Sequence, residues 1–204
     1  MLGFTKMKPV GKVFLAGYRG WTRIRSKCFS LLISGAFAHF GKRTVLTNPI
    51  RLQGESRIAI GDGVFLGSGC WLQALPDREN NAVAISIGNG TSIAGNCVIS
   101  AVRSVSLEEH VLLARNVYIS DHIHEYTQTD LPILAQGFNK IRPVRIKRGA
   151  WLGQNVVICP GVTVGKGAVV GANSVVNTDI PDFSVAVGSP AHVVKMIQVP
   201  ESVS

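Results

Sequence analysis

Aliphatic side chains recur every six residues at Ile146, Leu152, Ile158, Val164, Val170 and Val176 without a break. Glycine follows at Gly153, Gly165 and Gly171, and a small or β-branched residue stands four places after each aliphatic one, at Ala150, Val156, Val162, Ala168 and Ser174. A helix repeats near 3.6 and a half-buried strand at 2, so neither accounts for a sustained period of six. A coil with flat sides and tight corners does: each hexad forms one side, and about 18 residues complete one triangular turn.

The same phase occurs at Ile60, Leu66 and Leu72, again at Ile87, Ile93 and Ile99, and after a two-residue slip at Leu107, Leu113 and Ile119. These side chains are expected to stack in an interior column. Gly61, Gly67, Gly88, Asn89, Asn116 and Gly153 beside them suit corners that need permissive backbone angles. The interruptions at 75–83 and 121–143 read as loops ejected from the coil. Two regions follow: a basic, partly helical segment over 1–55 and the coil over 56–198. Between Lys12 and Phe40, apolar and basic residues alternate as in one or two amphipathic helices. Past Pro181 and Pro190, His192 to Ile197 suits a last strand or a short helix.

A length of 204 residues suits one sizeable domain with a small appendage, and 46% apolar residues with 22 glycines suit a folded, turn-rich chain. The net charge of +9 is unevenly spread. Met1 to Gly54 holds ten Lys or Arg and no Asp or Glu, whereas the remainder is close to neutral. The basic segment is suited to an anionic membrane surface, a polysaccharide or a phosphate, or simply forms a solvated face. It lacks the interleaved aromatics of a nucleic-acid reading module, so nucleic acid is not expected as a partner. Cys28, Cys70, Cys97 and Cys159 form no paired framework and read as free thiols of a reducing compartment. No apolar run is long enough to span a bilayer and no signal peptide is evident, so the expected location is cytoplasmic, with contact at the inner membrane surface through the basic segment.

The run from Gly149 to Lys195, GAWLGQNVVICPGVTVGKGAVVGANSVVNTDIPDFSVAVGSPAHVVK, resembles the C-terminal half of hexapeptide-repeat acyltransferases such as the galactoside and maltose O-acetyltransferases. The resemblance extends over roughly 56 to 196. The loop ISDHIHEYTQTDLPI, Ile119 to Ile133, is most similar to the subgroup acting on surface polysaccharides or their lipid-linked precursors. The resemblance implies an all-β fold, a left-handed parallel β-helix behind a short N-terminal helical segment. It further implies a homotrimer with active sites between neighbouring coils, acetyl-CoA as co-substrate, and a glycan or lipid-linked sugar as acceptor. No metal is expected.

Acyl transfer to a hydroxyl needs a base for the alcohol proton, and an imidazole suits neutral pH. Counted from Ile119 without gaps, the catalytic histidine of the galactoside and maltose enzymes falls on His124, which is the expected base; a two-residue shift gives His122, the second choice as base or a partner that orients the acceptor. The competing reading of this loop, a Zn²⁺ site with Asp121 and Glu125, lacks a third fixed His or Cys ligand. Cys159 at a corner reads as a small buried residue rather than a nucleophile. By similarity, Trp151 stands against the cofactor arm, and Gly153, Gln154 and Ala172 line the pantetheine track. Lys166, Asn177, His192 and Lys195 fall near the nucleotide end, although Thr178 and His192 replace the Lys and Arg of galactoside enzymes. The sugar-gripping Asn and Asp of those enzymes fall on Ala94 and Val102, leaving Asn96 and Arg103 as acceptor candidates and pointing away from a simple galactoside. Two other readings compete with an O-acetyltransferase: an N-acetyltransferase of an amino sugar nucleotide, and a non-catalytic or metal-dependent β-helix protein.

Overall fold

The computed structural model describes residues 8–77 and 80–198. Three sheets, of six, eight and six strands, form the faces of a three-sided coil; apart from the two strands of the 121–143 excursion and the terminal hairpin, each takes every third strand of the chain in parallel. A fourth, two-stranded sheet lies in the 121–143 excursion. The register stacks the hexad residues in columns. The first face aligns Phe40, Ile60, Ile87, Leu107, Ile146 and Val164. The second aligns Leu46, Leu66, Ile93, Leu113, Leu152, Val170 and Ala186. The third aligns Leu52, Leu72, Ile99, Ile119, Ile158 and Val176. All the hexad residues named from the sequence are buried, and burying a large aliphatic side chain contributes roughly 1.5–3 kcal/mol.

Phe40, Leu46 and Leu52 are also six apart, so the coil begins inside the stretch expected to precede it. A two-residue slip hides this turn. Gly54, in the left-handed region at φ 72°, opens a short 3₁₀ turn over Glu55–Arg57 before the next strand starts at Ile58 and the column resumes at Ile60.

The glycines beside the columns do a different job from the one their sequence context suggests. Gly61, Gly67, Gly88 and Gly153 have no positive φ; what excludes a side chain there is the next turn, since a Cβ on Gly67 would lie 1.9 Å from the Ala94 carbonyl oxygen. The left-handed backbone sits instead two residues before most strands of the second and third faces. On the corner leading into the third face it is taken by Gly69, Asn96, Asn116, Asn155 and Asn173. Asparagine tolerates that conformation better than other residues with side chains. Its amide here also links turns, with Asn116 Nδ2 donating to Asn155 Oδ1 at 3.0 Å and Asn155 Nδ2 to Asn173 Oδ1 at 2.8 Å.

Among the described residues one α-helix, α1 (Lys8–Ile33), precedes the coil and rests on its first turn, where the Leu46 N–H donates to Ser30 Oγ at 2.9 Å. At the other end Ser184–Gly188 continues the second face and pairs antiparallel with Ala191–Met196, which resolves the final segment as a strand.

Candidate active site

Every large departure from the hexad leaves the coil along the edge between the third and first faces. Glu55–Arg57, the 75–83 loop, residues 102–104 and the 121–143 excursion therefore stack on one another. Buried Arg57 fastens three of these strata: Nε donates to the Ala82 carbonyl at 2.9 Å, Nη2 to the Val102 carbonyl at 3.0 Å, and Nη1 to the Leu75 carbonyl. Asp121 fastens the next. Fully buried, it accepts from the Val102 N–H at 2.9 Å and from the Arg103 and Ser104 N–H groups at 2.7 Å each.

The same carboxylate holds His122. Asp121 Oδ1 lies 2.8 Å from His122 Nδ1, and Ser120 Oγ lies 3.3 Å from it. The Ser120 hydroxyl hydrogen is committed to the His122 carbonyl at 2.8 Å, so both neighbours of Nδ1 act as acceptors. Nδ1 accordingly carries the proton, and Nε2 of the neutral ring keeps its lone pair. Burial pushes the Asp121 carboxyl up, but His122 and the three backbone donors outweigh it and hold the group below its ordinary value.

His122 faces a groove of about 570 Å³ along the outer third face, lined by Trp71, Ser100, Tyr118, Ser120, His124 and Cys159 among others. One wall comes from the excursion, where Ile123–His124 pairs antiparallel with Phe138–Asn139. The Phe138 ring stands edge-on to His122 with centroids 4.5 Å apart and tilts against His124 at 5.1 Å. Polar side chains continue along the groove and beyond it: Ser100 Oγ donates to Gln73 Oε1, and Gln73 Nε2 to Oε1 of Gln53 outside the groove, both at 3.0 Å.

His122 and His124 thus share one groove with unequal surroundings. His124 is exposed, and among the described residues no carboxylate pairs with its ring. Cys159 is half-buried, and burial raises its thiol, which disfavours a thiolate nucleophile. Glu125 folds back onto the Tyr126 and Thr127 N–H groups. The described residues contain no cluster of three or more His, Cys, Asp or Glu able to hold a metal.

The remaining candidates are dispersed over one chain. Trp151 projects from the second face, in register with Leu112 and Val169. Gly153, Gln154 and Ala172 lie at the corner between the second and third faces, with the Ala172 nitrogen 2.7 Å from a Cβ placed on Gly153. Asn177 follows the strand Val175–Val176. Lys166 sits over Phe183 at 5.5 Å, while His192 and Lys195 lie on the terminal hairpin opposite Val187 and Val185. Asn96 occupies a left-handed corner. None of these lines the His122 groove. Arg103 lies in an adjoining cleft of about 650 Å³ that shares Phe138 with the groove, and its Nε is 3.6 Å from Asp77 Oδ2. Sequence reasoning missed Arg57 and the orienting role of Asp121. The only local signal was a carboxylate adjacent to a histidine at the point where the repeat breaks.

A three-sided parallel coil with stacked hexads and an Asp-His pair in an outer groove defines a hexapeptide-repeat protein carrying a candidate acid-base site. The family model for the bacterial transferase hexapeptide (six repeats) matches residues 143–178. A probable acetyltransferase of Mycobacterium tuberculosis is 34% identical over 149 residues, covering 65% of this chain and 49% of the relative. The putative lipopolysaccharide biosynthesis O-acetyl transferase WbbJ of Escherichia coli is 29% identical over 157 residues, covering 74% and 78%. The chain spans about half the length of the Mycobacterium relative and of a putative acetyltransferase of Schizosaccharomyces pombe. Among solved structures, AntD, an N-acyltransferase of Bacillus cereus, superposes with TM-score 0.71 at 22% identity, covering 82% of this chain and 88% of that one. A Vibrio cholerae hexapeptide-repeat acetyltransferase complexed with acetyl coenzyme A gives TM-score 0.60 at 23% identity, covering 88% and 89%. The chain is thus similar to hexapeptide-repeat acyltransferases in sequence and in fold, with the repeat itself matched over residues 143–178.

Proposed function

We propose that the protein is an acetyl-CoA-dependent O-acetyltransferase acting on a sugar hydroxyl, in a surface polysaccharide or its precursor, with His122 as the catalytic base. The observation that carries this reading is the 2.8 Å contact from buried Asp121 to His122 Nδ1, which leaves Nε2 free to accept a proton in the groove. Nε2 takes the proton of the acceptor hydroxyl as its oxygen attacks the thioester carbonyl. The tetrahedral adduct then collapses, the C–S bond breaks, and the imidazolium returns the proton to the departing thiolate. Asp121 steadies the imidazolium between these steps, and no covalent enzyme intermediate is needed. His124, which lines the same groove, is assigned the role of an acceptor contact.

The sugar class draws on the similarity to WbbJ, a putative lipopolysaccharide biosynthesis O-acetyl transferase. The similarity to hexapeptide-repeat acyltransferases supports left-handed winding of the coil, a trimer and a cytoplasmic site of action. In such a trimer Trp151, with Gly153, Gln154 and Ala172, faces the groove of a neighbouring subunit and holds the pantetheine arm, while Asn177, Lys166, His192 and Lys195 lie toward the nucleotide. This accounts for their separation from His122 within one chain. Arg103, in the cleft next to Phe138, is the acceptor contact nearest the base, and Asn96 lies farther off.

Incubation with acetyl-CoA and a panel of bacterial oligosaccharides, followed by mass spectrometry before and after mild alkali, tests the reading. An added acetyl group that alkali removes is the expected result. An alkali-stable amide on an amino sugar would replace it with N-acylation, and no binding of acetyl-CoA would overturn it.

A further inference from the structure

Helix α1 presents its apolar side away from the protein. The side resting on the coil carries Thr22, Ser26, Phe29, Ser30 and Ile33, with Ser26 and Ser30 buried. Val10, Phe14, Trp21, Cys28 and Leu32, spaced four or seven apart, form a stripe on another side, bordered by Val13, Ile24 and Leu31. This stripe is open to solvent: Phe14 is 73%, Trp21 62% and Leu32 85% exposed. From Val10 to Leu32 it extends about 33 Å at 1.5 Å per residue. Where the helix meets the coil, Trp21, Ile24, Cys28, Phe29 and Leu32 bound a shallow recess of about 350 Å³ with Arg25 at its rim.

Charge decides between coverings. Lys12, Arg19, Arg23, Arg25 and Lys27 ride on the same helix, and no Asp or Glu occurs before Glu55. A second copy of the helix would bring the same positive charge and no partner for it. Anionic lipid supplies both an apolar phase for the stripe and phosphates for the bases. Among the described residues no helix is long and apolar enough to cross a membrane.

We propose that α1 lies in the interface of an anionic bilayer, with Phe14, Trp21, Ile24 and Leu32 in the acyl boundary and the Lys and Arg side chains at the phosphates. The coil, joined directly to the helix, is thereby held beside the membrane, where a lipid-linked acceptor would be presented. Vesicle binding itself does not depend on catalysis.

The test uses the full chain with vesicles of phosphatidylglycerol and phosphatidylcholine, or of phosphatidylcholine alone. Sedimentation should show strong binding only to the anionic vesicles, weakened at about 0.5 M salt. Charge reversal at Arg19→Glu and Arg23→Glu together should lower the partition about tenfold or more, and Phe14→Ser with Trp21→Ser should do the same. Brominated lipid should quench tryptophan emission, and the conservative Trp21→Phe should remove most of that quenching without disturbing the fold. Equal binding to neutral vesicles, no binding, or quenching unchanged in Trp21→Phe would overturn the proposal. So would a Phe14→Ser, Trp21→Ser variant that keeps its vesicle binding while its subunit number falls, which would identify a second copy as the occupant.

Discussion

Asp121 joins three backbone N–H donors and an imidazole to one buried carboxylate, so a substitution there disturbs both architecture and chemistry. Asp121→Asn keeps the shape but removes the charge and places an amide where acceptors are needed. A loss of about 1.5–3 kcal/mol is expected from denaturant unfolding, with reduced turnover at unchanged acetyl-CoA affinity. The pH dependence has a definite sign. Because the folded carboxyl titrates below its ordinary value of 3.8, its stabilisation is complete above the ordinary range and is lost as pH falls through the folded value. Unfolding curves at pH 7 and pH 3 should therefore show the wild type approaching Asp121→Asn in stability under acid. A gap that widens toward acid would contradict the assignment. Gly67 tests a different kind of residue. With Ala94 backbone 1.9 Å from the position of a Cβ, Gly67→Ala forces adjacent turns apart and should cost about 1–3 kcal/mol in the same measurement.

Among the elements, the edge where the third face hands over to the first gathers the insertions, and Arg57 is their common anchor. Arg57→Met removes donors to Ala82, Leu75 and Val102 and should loosen 75–83 and 102–104 while the columns stay intact. Hydrogen exchange should report faster exchange over these segments and little change over Val144–Val176; uniform loosening of the coil would refute the anchoring role. The coil itself was legible in sequence because column residues obey a short, strict period that one face of a side imposes. The first turn escaped because the slip at Gly54–Arg57 displaced Phe40, Leu46 and Leu52 from the phase of Ile60. Arg57 and Asp121 could not be found by period, since their partners are carbonyl and N–H groups brought close only when the insertions stack. The glycines were recognised, but sequence alone does not distinguish a residue needed for its backbone angle, such as Gly69, from one needed for its missing Cβ, such as Gly67.

Taken as a whole, the molecule is a stack in which each turn contacts only its neighbours, so damage in the middle cannot be relieved at an end. Leu113, fully buried between Ile93 and Leu152, should cost about 2–5 kcal/mol when replaced by alanine. On the outside of that same face Phe65, Leu112 and Trp151 remain exposed, a row consistent with the proposed subunit contact. Leu112→Glu should yield monomers in sedimentation velocity and lose acetyl-CoA binding; monomers that bind it fully would remove the neighbouring subunit from the site.

Catalysis in this groove turns on which imidazole is held for proton transfer. Acetyl-transfer turnover of His122→Ala and His124→Ala, each measured beside its acetyl-CoA affinity, addresses this directly. His122→Ala should lose about 10²–10⁴-fold in turnover with affinity preserved, while His124→Ala should change far less. A collapse of turnover in His124→Ala with His122→Ala still active would contradict the account.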